Sequence, residues 1–308
     1  MNKNFNFLPS QYKKNNSKIN HNYLSSQFSD YKKILNKISK VVKRNDFTLG
    51  EEVNKFERNI SKLIGAKHVL AVGSGTDAIM LSLKCLGVEK GDEVITTPFT
   101  FYATIGAIVT SGAKPVFVDV KDDYNIDPDL IEKKITKKTK AILPVHWGGK
   151  ICDMKKISKI AKKYSIPIVE DACHAILAKK YGKFAGNFGS MGCFSLHPLK
   201  NLNAWGDGGF IIIKDSKDFR KLSLMRNHGL VSRNKTLMFA YNSRLDTIQA
   251  VVANHLLKKL KNITKKRISN SNYLDKKLNY FKEVQLIHRE KNSTEVFHLY
   301  CLRIKNKK

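Results

Sequence analysis

A lysine stands between an apolar strand pattern and a glycine-rich turn, in Phe194-Ser195-Leu196-His197-Pro198-Leu199-Lys200-Asn201 followed by Gly206-Asp207-Gly208-Gly209. A lysine amine can condense with a carbonyl cofactor, and Ser195 could donate to a phosphate. An ordinary surface lysine is the competing reading. Glu170-Asp171-Ala172-Cys173-His174 follows a second apolar run, Ile166–Val169. An acid there can face a ligand or cap a helix. Gly73-Ser74-Gly75-Thr76-Asp77 sits between a strand and a helix pattern. Backbone N–H groups at such a helix start can close on a phosphate, although glycine turns before helices are common. Thr100-Phe101-Tyr102 follows Pro98. An aromatic there could stack on a flat ring or belong to the core.

These four segments need a frame that brings them together. Short apolar strands are expected at His68–Val72, Glu93–Thr97, Pro115–Asp119, Ala141–Val145, Ile166–Glu170, Gly192–Ser195 and Gly209–Ile213. Helical patterns lie between most of them, at Thr76–Leu86, Thr104–Ser111 and Asp153–Tyr164. That alternation predicts an α/β fold with a mostly parallel sheet sandwiched by helices. Ligand sites in such sheets lie at the carboxyl ends of strands, where all four segments fall.

Upstream, Thr48 and Glu51 have capping-box spacing before a helix whose apolar face is Val53, Phe56, Ile60 and Leu63 and which ends at Gly65. Residues 1–27 read as a mobile polar arm, and residues 28–240 as the large domain. A long helical pattern from Arg244 to Phe281, then strands Val284–Ile287 and Phe297–Ile304, make 241–308 a smaller α+β domain.

The chain of 308 residues carries 56 Lys and Arg against 26 Asp and Glu, a net charge of +30. Basic runs such as Lys133, Lys134, Lys137, Lys138 and Lys140, or Lys258, Lys259, Lys261, Lys265 and Lys266, read as solvated helix faces. No nucleic-acid module accompanies them. Five widely spaced cysteines without a C-x-x-C pair argue against a metal site and a disulfide framework. Reduced thiols fit a cytoplasmic protein. No apolar run approaches the ~20 residues of a membrane span.

Taken together, a phosphate cradle, a stacking aromatic, an acid and a lysine are the parts of a pyridoxal 5′-phosphate (PLP) site. The chain resembles the DegT/DnrJ/StrS family of PLP-dependent sugar aminotransferases. The likeness runs from Phe47-Thr-Leu-Gly-Glu-Glu through Gly73-Ser-Gly-Thr-Asp-Ala, Gly91-Asp-Glu-Val-Ile-Thr-Thr-Pro-Phe-Thr-Phe, Pro144-Val-His-Trp-Gly-Gly, Glu170-Asp-Ala-Cys-His-Ala and Phe194-Ser-Leu-His-Pro-Leu-Lys-Asn-Leu to Asn242-Ser-Arg-Leu-Asp. The resemblance implies a fold-type I PLP-transferase in which Lys200 is joined to the cofactor and Asp171 pairs with its pyridine nitrogen. It implies that Ser195, Gly75 and Thr76 hold the phosphate and that Phe101 stacks on the ring. His174 stands near the ring oxygen, where many members have Gln. Asn242 would reach the phosphate site of a neighbouring subunit, which implies a homodimer. The implied reaction carries an amino group from an amino acid, expected to be L-glutamate, to a nucleotide-linked keto-sugar. A family branch with His at the lysine position dehydrates instead; here that position is Lys200. The resemblance also implies that the small domain is truncated, so a degenerate PLP-binding homologue is the alternative expectation.

Overall fold

The computed structural model describes residues 22–305. Seven strands form its centre: β1 (His68–Val72), β2 (Glu93–Thr96), β3 (Lys114–Phe117), β4 (Thr139–Ile142), β5 (Val169–Asp171), β6 (Met191–Ser195) and β7 (Gly209–Ile213). One run of paired strands is β1-β7-β6-β5 and the other is β4-β2-β3. Parallel bridges Ile142↔Ile168 and Val145↔Asp171 join the two runs. Only β7 is antiparallel to its neighbours, β1 and β6; β5–β6, β2–β3 and β2–β4 are parallel. The expected α/β class with a mostly parallel sheet is the one observed.

Why the strands read as unbroken apolar runs is visible in the packing. Val69 and Ala71 of β1, with Phe210 and Ile212 of β7, enter one core against Val53, Phe56, Ile60 and Ile64 of the helix Glu51–Ile64. Leu70 and Val72, with Ile211 and Ile213, enter the opposite core against Ala78, Ile79, Leu81 and Leu83 of the helix Gly75–Cys85. Alternate side chains point to opposite faces, so burial on both faces removes any polar alternation. The same period separates two neighbouring acids. Asp171 follows Val169 onto the face of Gly75–Cys85, whereas Glu170 follows Ile168 onto the other.

Several boundaries differ from the sequence reading. Thr48 does not cap the helix Glu51–Ile64: Gly50 is its N-cap residue, Asp46 Oδ2 accepts the Glu51 N–H at 2.9 Å, and Thr48 instead bridges Asp246. Gly65 ends that helix with φ 63°, as expected of a left-handed C-cap. Of the expected arm, residues 1–21 lie outside the described residues. Residues Leu24–Gln27 form a helical turn, and buried Gln27 donates through Nε2 to Asn203 Oδ1 at 3.0 Å. The helical pattern from Arg244 to Phe281 is two helices, Thr247–Leu257 and Leu260–Leu278. The first is nearly buried all round and packs on Glu51–Ile64, with Asn254 Nδ2 donating to the Glu52 carbonyl at 2.9 Å. Of Phe297–Ile304, only Leu302–Ile304 is a strand, paired with Val284–Leu286. The residues before it are held in another way, described below.

The lysine runs lie mostly on the exposed surface. Lys259 departs from this, pairing with Asp30 at 2.7 Å.

Candidate active site

The carboxyl ends of β1, β2, β4, β5 and β6 open into one cleft of about 730 Å³. That is within the roughly 300–1,000 Å³ typical of small-molecule sites. Gly75, Thr76, Phe101, Asp171, His174, Ser195 and Lys200 all line it. Asn242 does not; it is exposed outside the cleft and bridges Asn227. Its neighbour Ser243 reaches the site indirectly. Ser243 Oγ accepts the Gly73 N–H at 3.0 Å and donates to Asp77 Oδ2 at 2.8 Å, pinning the glycine turn.

At that turn Ser74 is the N-cap residue, and its Oγ accepts the Asp77 N–H at 3.0 Å. Its carbonyl accepts the Ala78 N–H. The N–H groups of Gly75 and Thr76 face no protein acceptor among the described residues, as the first positions of a helix leave them. A Cβ at position 75 would meet Ser195 Cβ at 2.7 Å and Cys173 Sγ at 3.0 Å. Gly75 thus lets the helix end close on the Ser195 hydroxyl and form a narrow cradle for an anion. Gly75→Ala is expected to keep the fold but weaken PLP binding at least about 10-fold, the size of one lost charge-assisted hydrogen bond. Equilibrium dialysis against PLP measures it.

Asp171 is buried and doubly engaged. Oδ2 accepts the Thr104 hydroxyl at 2.8 Å, and Oδ1 accepts the Cys173 N–H at 3.1 Å. Thr104 Oγ1 in turn meets Thr100 Oγ1 at 2.8 Å. Lys200 reaches the same cleft from the loop after β6, and its amine has no hydrogen bond or ion pair among the described residues. Burial lowers the Lys200 pKa from the usual lysine range, partly offset by the Asp171 carboxylate. Burial pushes the Cys173 thiol well up, and the Asp171 charge adds to this, so Cys173 is a neutral neighbour rather than a nucleophile.

His174 accepts the Gly148 N–H through Nδ1 at 3.4 Å. Its ring lies 5.1 Å from that of Trp147 and 4.2 Å from that of His298. Burial, then Lys200 and His298, hold His174 well below the ordinary imidazole pKa. Phe101 stands half-exposed at the mouth, tilted against Tyr102 with ring centres 4.1 Å apart.

A model of the DegT/DnrJ/EryC1/StrS aminotransferase family matches residues 29–308. The chain belongs to that family. A pleiotropic regulatory protein of Geobacillus stearothermophilus is 45% identical to this DegT/DnrJ/EryC1/StrS member over 231 residues, 74% of this chain and 62% of that protein. The UDP-N-acetyl-3-dehydro-alpha-D-glucosamine 3-aminotransferase of Acidithiobacillus ferrooxidans is 44% identical over 220 residues, 71% of this chain and 60% of that protein. NtdA of Bacillus subtilis, solved with the bound cofactor PMP, superposes with a TM-score of 0.85 at 31% identity, covering 95% of this chain and 68% of that one. The fold is therefore fold-type I, as the resemblance implied. The chain spans about three fifths of the length of the first curated relatives it matches.

The family motifs leave several lining residues unremarked. Thr104 holds Asp171, and its signal in sequence is only its place four residues after Thr100. Trp147 belongs to Pro144-Val-His-Trp-Gly-Gly, and its ring meets that of Phe99 edge-on at 5.0 Å. His197 and Asp207 also line the cleft; burial, then Lys200, lowers the His197 pKa. His298 carried no signal at all. Glu170, which shares a motif with Asp171, turns away and accepts His146 Nε2 at 2.8 Å and the N–H groups of Gly186, Phe188 and Gly189.

Proposed function

We propose that the chain is a PLP-dependent aminotransferase that carries an amino group from an amino acid, L-glutamate, to a nucleotide-linked keto-sugar for amino-sugar and surface-polysaccharide synthesis. The observation that carries this reading is the meeting, in one cleft, of a half-buried lysine amine unpaired among the described residues, a buried carboxylate and a glycine-lined helix end. The relatives' names support the sugar substrate.

The donors present fit PLP. The free N–H groups of Gly75 and Thr76, with the Ser195 hydroxyl, would take the phosphate. Asp171 would stand by the pyridine nitrogen, Phe101 by the ring face and His174 by the ring oxygen, and Lys200 would bond the aldehyde. Bound PLP supplies an electron sink for a carbanion beside the transferred nitrogen. Asp171 would keep the ring nitrogen protonated, because a nearby opposite charge favours the charged form. Lys200 Nζ takes and returns the proton at the substrate carbon, a task its lowered pKa favours.

The protein acts as a homodimer in the cytoplasm. Asn242, exposed beside the fully exposed Phe239, would serve the phosphate site of the second subunit. No helix among the described residues is long and apolar enough to cross a membrane.

The deciding experiment loads the protein with pyridoxamine phosphate and offers a panel of UDP- and dTDP-linked keto-sugars. Mass spectrometry is expected to find a sugar whose ketone has become an amine. A glutamate half-reaction with no aminated sugar would remove the sugar from this reading. Failure of both half-reactions would leave a degenerate binder.

A further inference from the structure

His298 reaches the cleft from the C-terminal region, and its delivery is built rather than incidental. The segment 295–299 lies against the Gly148-Gly149 turn: Val296 N–H donates to the Gly149 carbonyl at 3.1 Å and Leu299 N–H to the Gly148 carbonyl at 3.2 Å. Asn201 Nδ2 donates to the Val296 carbonyl at 3.0 Å, and Arg267 to the Phe297 carbonyl at 2.9 Å. Gly149 has φ 100°, and a Cβ there would meet Val296 Cγ2 at 2.8 Å and Phe297 N at 3.0 Å. Phe297 itself holds φ 47°, a strained value for a bulky residue. Four hydrogen bonds to the backbone of this segment and a strained residue thus place one side chain, the His298 ring, 4.2 Å from the His174 ring. His298 Nδ1 is buried without a partner among the described residues, and the ring lies tilted by 38° against that of His174. Such an unmatched buried group calls for a reason.

We propose that His298 is a positioning residue for His174. Its ring face closes the dry side of His174, so that Nδ1 accepts only from Gly148 and Nε2–H remains the single donor offered to the cofactor's ring oxygen. The proposal rests on the cofactor reading for the last step alone; the packing and the tautomer belong to the protein itself.

The electrostatics agree. The charged and titratable groups facing the two rings are Lys200 and His197 from the loop after β6 and Arg267 from Leu260–Leu278. Burial first, then Lys200 and Arg267, hold His298 well below the ordinary imidazole pKa. Asp171 and Asp207 line the same cleft, but among the described residues no carboxylate holds a proton on either imidazole. A wet His174 would mix tautomers and charge near the solvated value of about 6.5. A dry one stays neutral. Both histidines are neutral when folded, so the unfolded chain takes up their protons first, and stability falls as pH drops below about 6.5.

The test is imidazole ¹⁵N NMR on the full chain without cofactor, with the His174 signals assigned by their loss in His174→Gln. In the unsubstituted protein His174 is expected to show one neutral tautomer, Nε2–H, through the range where solvated imidazoles titrate. His298→Ala is expected to raise its midpoint toward about 6.5 and mix the tautomers. His298→Phe, which restores the ring face, is expected to restore the low midpoint. If the alanine variant does not fold, His298→Asn removes the aromatic face and carries the same expectation. In PLP-loaded protein the visible absorbance is expected to gain a new pH dependence in His298→Ala and none in His298→Phe. A His174 that titrates normally in the unsubstituted protein overturns the proposal, as does one that the alanine change leaves untouched. If the NMR expectations hold and loading fails, the packing stands and the cofactor reading falls.

Discussion

Lys200→Ala is expected to lose turnover by about 10³-fold or more, the upper part of the range for a proton-transferring group. Treating unsubstituted protein and PLP with borohydride is expected to fix the label in one peptide, the one containing Lys200. The variant is expected to take no label at any lysine. The fold gives the loss a chemical origin. The Lys200 amine holds no hydrogen bond or ion pair within the described residues, so removing it strands no partner. Burial disfavours its ammonium form, so alanine relieves a desolvated group, and the variant is expected to melt at or above the parent temperature. A label on any of the other lysines, or retained turnover, would end the assignment. Lysine is abundant in this chain, and a covalent map is the measurement that singles one out.

The second large effect is expected at Asp171. Asp171→Asn keeps the shape of the side chain. One amide oxygen can still accept from Cys173, and the Thr104 hydroxyl can turn to accept instead of donate, because Thr100 lies within 2.8 Å as its alternative partner. Only the charge goes. The rate is expected to fall about 10²–10³-fold, as for loss of one aligned electrostatic group, while PLP still binds. Single-turnover kinetics with glutamate, beside a PLP titration by absorbance, separate the two. Equal loss of binding and rate would mean that the carboxylate is mainly a structural anchor.

Much of the site was legible because the sheet makes it so. Strand ends are marked by apolar runs that stop at Gly73, Asp171 and Ser195, and the topology rule turns strand ends into neighbours. Glu170 and Asp171 were harder to tell apart. Their roles differ because consecutive strand residues face opposite cores, and that needs the register with β4 and β6. Thr48 misled: the spacing to Glu51 is right for a capping box, but Asp46 Oδ2 accepts that N–H instead. The long helical pattern after Arg244 concealed a break at Lys258–Lys259, where lysines leave no breaker residue in the sequence. His298 could not be read at all. Its place depends on a turn some 150 residues upstream, at Gly148 and Gly149, which no local pattern records.

The pairing of β1 with the late strand β7 has a bearing on biosynthesis. In the register His68↔Ile213 to Val72↔Gly209, β1 finds its ladder partner only once residue 213 has been made. Closing so long a stretch of chain is entropically slow and raises the contact order. During translation the glycine turn at the end of β1 would therefore wait, unanchored, while β2 to β6 emerge. Affinity for the vitamin-derived ligand would arrive late and all at once, and a ribosome stalled before that point would hold a nascent chain that cannot yet capture it.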